Sequence, residues 1–167
     1  MNPILFEALR LKELNRAGWT RVGIEQPESV ASHSWNMCWL VMVLAPSNIN
    51  RARALELAVI HDLAEIDVGD ITPHDGISKA EKQKLETAAI GRILKERPDL
   101  LALWKEYDDG ETPESKFVHD IDRLDMALQA THYAHSQGAD TSEFLDSARK
   151  SIHHEEIATL IDSLTKP

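Results

Sequence analysis

The chain has 167 residues, 43% hydrophobic and 28% charged, which suits one globular domain spanning 1–167 with a core that needs no staples. A single cysteine, Cys38, excludes an intrachain disulfide and a thiolate-rich zinc module, and 7 glycines with 7 prolines exclude collagen-like or low-complexity character. With 28 acidic against 18 basic residues the net charge is −10, a poor match for long nucleic acid. The longest apolar run, Met37 to Ala45, is too short to span a bilayer, and no charged-then-apolar leader opens the chain. The expectation is a soluble cytoplasmic protein.

No stretch alternates with period two, so the chain reads as all-α, about six to eight helices. Pro3 precedes a helix over Ile4 to Arg16, ended by Gly18. Trp19 to Glu28 reads as a loop punctuated by Gly23 and Pro27. Ser29 is placed to cap a helix running to Ala45, apolar on every side after Met37 and therefore expected to be central and buried. Asn50 caps the next, Arg51 to about Ile66, and a Gly- and Pro-containing break covers Val68 to Ile77. Ser78 with Glu81 is a capping-box signature for a helix to about Arg97. A short helix is expected over Asp99 to Glu106, and Pro113 starts a long one reaching His135, ended by Gly138. A last helix covers about 142–164, its stripe of Phe144, Leu145, Ile152, Ile157, Leu160 and Ile161 closing either the core or an interface.

Four residues on three of these helices carry candidate chemistry. His61 and Asp62 are adjacent inside an apolar segment, His33 lies one turn before Met37, and Asp122 sits amid Phe117 to Leu128. A buried carboxylate needs a partner or a cation. Neighbouring helical residues point about 100° apart, so a cation between their directions is needed to satisfy both. Two imidazoles and two carboxylates suit a catalytic divalent metal such as Mn, Co, Fe or Zn, with Mg allowed. Asp120 and Asp125 stand close enough to replace Asp122.

The set resembles the HD-domain superfamily of metal-dependent phosphohydrolases, whose pattern is a His, a His-Asp pair and a distant Asp. The likeness extends to Gly18-Trp19, Pro27-Glu28-Ser29-Val30-Ala31-Ser32-His33, His61-Asp62-Leu63-Ala64-Glu65, Gly69-Asp70-Ile71-Thr72-Pro73, Lys79-Ala80-Glu81-Lys82 and Ile121 to Ala130. Together these are similar to the branch of small 5′-deoxynucleotidase-like HD proteins, most strongly over 5–135. The resemblance implies an HD helical bundle, often a homodimer, that hydrolyses deoxyribonucleoside 5′-monophosphates to deoxynucleoside and phosphate. It implies His33, His61, Asp62 and Asp122 as ligands of one divalent metal, Glu65 in acid–base chemistry, and Trp19 and Asp70 against the nucleoside.

One departure stands out. Where some members carry an Arg immediately before the Trp, this chain has Gly18, and Arg16 and Arg21 flank it. Arg21 is taken as the substrate-binding cation, with Lys79 and Lys82 as further candidates, because a dianionic substrate needs one in a protein of charge −10. Of the other histidines, His119 is placed beside the site, His132 and His135 form an i, i+3 pair, and His153 and His154 read as solvated. Cys38 reads as an inert core thiol. Two other readings are a phosphodiesterase or pyrophosphohydrolase using the same ion cage, and a non-catalytic nucleotide-binding helical protein.

Overall fold

The structure is a computed structural model that describes residues 4–150 and 152–164; Pro3 lies outside them. Among the described residues every regular element is helical, and the sole β-type pairing is one isolated bridge between Asn15 and Ser29. The elements are α1 (Ile4–Glu7), a 3-10 turn (Ala8–Lys12), α2 (Ala17–Arg21), α3 (Val30–Leu44), α4 (Arg51–Ile60), α5 (Glu65–Val68), α6 (Lys79–Ile93), α7 (Pro98–Asp109), α8 (Pro113–Gln137), α9 (Ser142–Ala148) and α10 (Glu155–Leu164). Without the four- and five-residue segments α1, α2 and α5, the bundle has the expected size.

The local signals act as the residue types dictate. Ser29 Oγ accepts from the Ser32 amide and Asn50 Oδ1 from the Arg53 amide, each capping its helix. Ser78 and Glu81 form both halves of the capping box. Pro98 and Pro113 open their helices, and Gly110 and Gly138 close them in the left-handed conformation at φ 66° and 67°.

The centre of the bundle is α8, not α3. The long helix touches α3, α4, α7, α9 and α10 and buries Phe117, Val118, Ile121, Leu124, Ala127 and Ala130. On α3 only Val30, His33, Met37 and Val41 are buried, a stripe spaced three and four apart. Its opposite face is open: Trp35 is 69% and Trp39 52% exposed, with Met42 and Val43 beside them. An all-apolar helix therefore lies at the edge here, contrary to the expectation from its composition.

Other expected elements are divided. The first helix breaks into α1 and a 3-10 turn, and Gly18 and Trp19 fall inside α2 rather than ending a helix and starting a loop. The expected helix to Ile66 stops at Ile60; residues 61–64 turn through i→i+3 bonds, Leu63 N–H to Ile60 O at 3.1 Å and Glu65 N–H to Asp62 O at 3.0 Å. The last helix is likewise two, α9 and α10. Its break is made by Asp120, a fully buried carboxylate on α8. Asp120 accepts from the backbone N–H groups of His153 at 2.9 Å and His154 at 2.8 Å, just ahead of the α10 N-terminus. Both Nδ1 atoms also approach it, so His153 and His154 are tethered rather than merely solvated. The α10 stripe closes the core: Ile157 and Ile161 are buried.

Removing the Asp120 carboxylate strands these amides in the interior. The variant Asp120→Ala is expected to lose about 3 kcal/mol of unfolding free energy, read by urea denaturation, while Asp120→Asn, which keeps one acceptor, loses less.

Candidate active site

The turn that ends α4 builds the site. Because residues 61–64 leave the regular helix, the neighbouring side chains of His61 and Asp62 meet, with His61 Nε2 2.9 Å from Asp62 Oδ2. The Trp104 indole N–H donates to the His61 carbonyl at 3.1 Å and holds the turn. From α3, His33 Nε2 lies 3.3 Å from Asp122 Oδ1 and 3.8 Å from Asp62 Oδ2. Ligand atoms of His33, His61 and Asp62 all fall within 4.8 Å of one another. Residues from α3, the 61–64 turn and α8 thus converge, as their spacing in the sequence suggested.

The hydrogen bonds show what this arrangement is suited to hold. His61 Nδ1–H donates to the Ala58 carbonyl at 2.8 Å, and His33 Nδ1–H donates to Asp125 Oδ2 at 2.6 Å. Each ring therefore turns Nε2 inward and leaves that nitrogen available to a ligand. Both Nε2 atoms are buried and make no hydrogen bond, despite carboxylate oxygens close by. Imidazole and carboxylate lone pairs directed at one point fit a divalent cation and little else.

The same crowding moves the proton equilibria. Burial pulls His33 down, yet Asp122 and Asp125 outweigh it and the imidazole is pushed up to about 10, so a cation binding there would displace a proton from the ring. Burial pushes Asp62 up, but His61 and Arg16 hold it at about 2. Glu65 goes the other way: burial, then the carboxylates of Asp62 and Asp70, push it up to about 10, and its Oε2 has no partner.

Two residues acquire a place that the motif alone did not give them. Asp125, 1% exposed, is not an alternative to Asp122 but the acceptor behind His33, itself bonded by the Asn36 amide. Arg16 is carried to the site by backbone pairing, Arg16 N–H to Glu28 O at 3.0 Å and Val30 N–H to Leu14 O at 2.8 Å. Its guanidinium lies 3.3 Å from Asp62 and 3.9 Å from Asp70. Those carboxylates, against the opposing effect of burial, hold Arg16 above its usual range. Sequence reasoning noted Arg16 only as a flanking residue.

A cleft of about 350 Å³ opens beside these groups, a size within the roughly 300–1,000 Å³ usual for small-molecule sites. Arg16, Asp62, Glu65, Asp70, Asp122 and Lys82 line one part. Asp70 Oδ2 accepts from the Ala17 amide at 2.7 Å, and Lys82 Nζ donates to the Ile71 carbonyl at 3.0 Å. Arg21 lines it too, bound to Glu143 at 2.5 Å. Trp19 is 2% exposed, and its indole N–H donates to Glu28 Oε1 at 2.9 Å. Lys79 is not among the lining residues. His119 stands one step back, its Nε2–H donating to the Tyr107 carbonyl at 2.9 Å. The His132 and His135 pair joins no cluster of metal-binding groups among the described residues, and Cys38 is half-buried.

Residues 8–162 match the HD domain family. The human 5′-deoxynucleotidase HDDC2 is 37% identical over 163 residues, covering 93% of this chain and 79% of that protein. The fission-yeast (Schizosaccharomyces pombe) 5′-deoxynucleotidase hdd1 is 41% identical over 140 residues, covering 78% and 71%. Among solved structures, the PH0347 protein of Pyrococcus horikoshii superposes with a TM-score of 0.84 at 28% identity, covering 98% of both chains.

The Asp125 contact carries its own prediction. Outer carboxylates that orient a ligating histidine typically contribute 10–100-fold to metal affinity. Asp125→Asn is therefore expected to weaken divalent-ion binding about tenfold or more in equilibrium titration, with helix content by circular dichroism retained.

Proposed function

Because the chain belongs to the HD-domain family, we propose that it is a metal-dependent 5′-deoxynucleotidase, cleaving deoxyribonucleoside 5′-monophosphates to deoxynucleoside and phosphate. The observation that carries this reading is the pair of unpartnered, buried Nε2 atoms of His33 and His61 facing the carboxylates of Asp62 and Asp122 at the wall of a cleft. The reading takes 1–167 as one HD domain in a cytoplasmic enzyme. No helix among the described residues is long and apolar enough to cross a membrane.

His33, His61, Asp62 and Asp122 are the ligands of one divalent ion. The mixed nitrogen and oxygen set without thiolate suits Mn, Co, Fe or Zn, with Mg allowed. When bound, the ion supplies Lewis-acid activation of water and of a phosphoryl oxygen. The chain's own groups do the rest. Arg16 presents the cation that a dianionic phosphate needs in a protein of charge −10, and it takes the place of the arginine missing at Gly18. Lys82 and Arg21 add positive charge along the cleft. Glu65 holds the proton on its carboxyl and passes it between the attacking water and the leaving 5′-oxygen. Asp70 accepts from a sugar hydroxyl, and Trp19 shapes the nucleoside end.

Purified protein given deoxynucleoside monophosphates with Mn, Co or Mg is expected to release inorganic phosphate and nucleoside. Asp62→Ala is expected to abolish turnover together with metal retention. Glu65→Gln is expected to keep the metal while kcat falls about 10²–10⁴-fold. Absence of phosphate release with every metal and every deoxynucleotide overturns the reading. Nucleotide rather than nucleoside as product moves the chain to the phosphodiesterase or pyrophosphohydrolase reactions of the same cage.

The homodimer is proposed to form through the open α3 face, where Trp35, Trp39, Met42 and Val43 make an exposed apolar patch. Sedimentation of the wild-type chain is expected to give a dimer and Trp39→Glu a monomer; a monomeric wild type overturns this.

A further inference from the structure

The aromatic residue expected to face the nucleoside, Trp19, does not offer a free face. It is 2% exposed, its N–H is taken by Glu28, and its ring lies between Tyr133, 5.4 Å away, and Phe144, 4.2 Å away, centroid to centroid. Phe144, on α9, is half-buried and lines the same cleft. It lies outside the motif-bearing part of the sequence.

Phe144 and Met126 line the same cleft as Arg16, Asp62, Glu65 and Asp122. On α8, Met126 follows Asp122 by four residues, about 6 Å of helix rise. Arg16 precedes the first residue of α2, and Arg21 is its last. Phe144 packs against Trp19, Met126 joins the same apolar cluster, and the Arg21 guanidinium lies over the Phe144 ring, 5.7 Å from its centroid. Arg21 is itself held by Glu143, which also pairs with His74 at 3.3 Å. Phe144 and Met126 therefore give the cleft apolar surface beside the Arg21–Glu143 pair. The backbone at Gly18 admits this arrangement: a Cβ there would stand 3.0 Å from Phe144 Cε1. A side chain much larger than alanine at 18 displaces the ring, which is a physical reason for glycine at this position.

Resting on the nucleotidase reading, we propose that Phe144 is the surface on which the nucleobase lies, and that Gly18 is the clearance that lets its ring reach the cleft. Stacking tolerates any base, because each has a π-face. This site therefore favours substrates with a base over those without one, and discriminates weakly among bases.

The test compares 2′-deoxyadenosine 5′-monophosphate with 2-deoxyribose 5-phosphate, which lacks the base. Phe144→Ala is expected to lower the ratio of kcat/KM for the nucleotide over the sugar phosphate by about tenfold, mainly through KM. Phe144→Trp keeps the ratio high. Gly18→Leu, whose side chain fits at position 18 only if the ring moves, is expected to lower the ratio in the same direction. If Phe144→Ala reduces both substrates in proportion, or neither, the assignment is overturned and the nucleotidase reading stands. A wild-type chain that hydrolyses neither substrate overturns both.

Discussion

The burial of His33 against carboxylates is the constraint on which the rest depends. Ionised groups taken into a helical interior lose hydration worth several kcal/mol each, and they stay only where opposite charge and hydrogen bonds replace it. His33 meets this with Asp125 on one nitrogen and Asp122 on the side of the other. Asp62 meets it with His61 and Arg16. The two Nε2 atoms and Glu65 Oε2 are what these contacts leave over; Glu65 lines the cleft, and the two nitrogens lie beside Asp62 and Asp122, which line it too. A divalent cation completes the balance, so the interior is polar where the chemistry is and apolar around it.

Backbone irregularity serves this arrangement. A straight continuation of α4 would point His61 and Asp62 about 100° apart. The tight turn at 61–64 brings them together, and the Trp104 indole and the Ala58 carbonyl hold it. The pairing of residues 14–16 with 28–30 does the same for Arg16, bringing a loop cation to the base of α3. The charge of Arg16 beside Asp62 and Asp70 thus comes from a strand-like crossing in an otherwise helical protein.

Much of this was legible in the sequence, and the reasons differ by residue. The all-helical class, the caps at Ser29, Asn50 and Ser78, and the proline starts follow from local rules that tertiary packing did not override. His33, His61, Asp62 and Asp122 were visible because polar groups on apolar helical faces need a reason to be there, and the fold brings them together. The breaks at 61–64 and 149–154 were not legible. Each is set by a distant partner, Trp104 in one case and Asp120 in the other. The openness of α3 was hidden because hydropathy reports what a helix can bury, not what packs against it. Asp125 was visible only as a substitute for Asp122, and Phe144 only as part of an apolar stripe, because an acid three residues from another acid and a phenylalanine near a chain end look ordinary until the fold supplies their neighbours.

The carboxylates of α8 have a mechanical consequence. Asp120 and Asp122 are two residues apart, about 200° around the helix axis, so they face nearly opposite directions. One grips the entrance to α10, and the other reaches the ion cage. Asp125, gripping His33, adds a third fixed bearing. A rod held on opposite flanks cannot roll, and a roll of one residue, about 100°, would swing Asp122 out of the cleft altogether. The helix α10, distant in the sequence from the 61–62 pair, thereby fixes the direction in which Asp122 points.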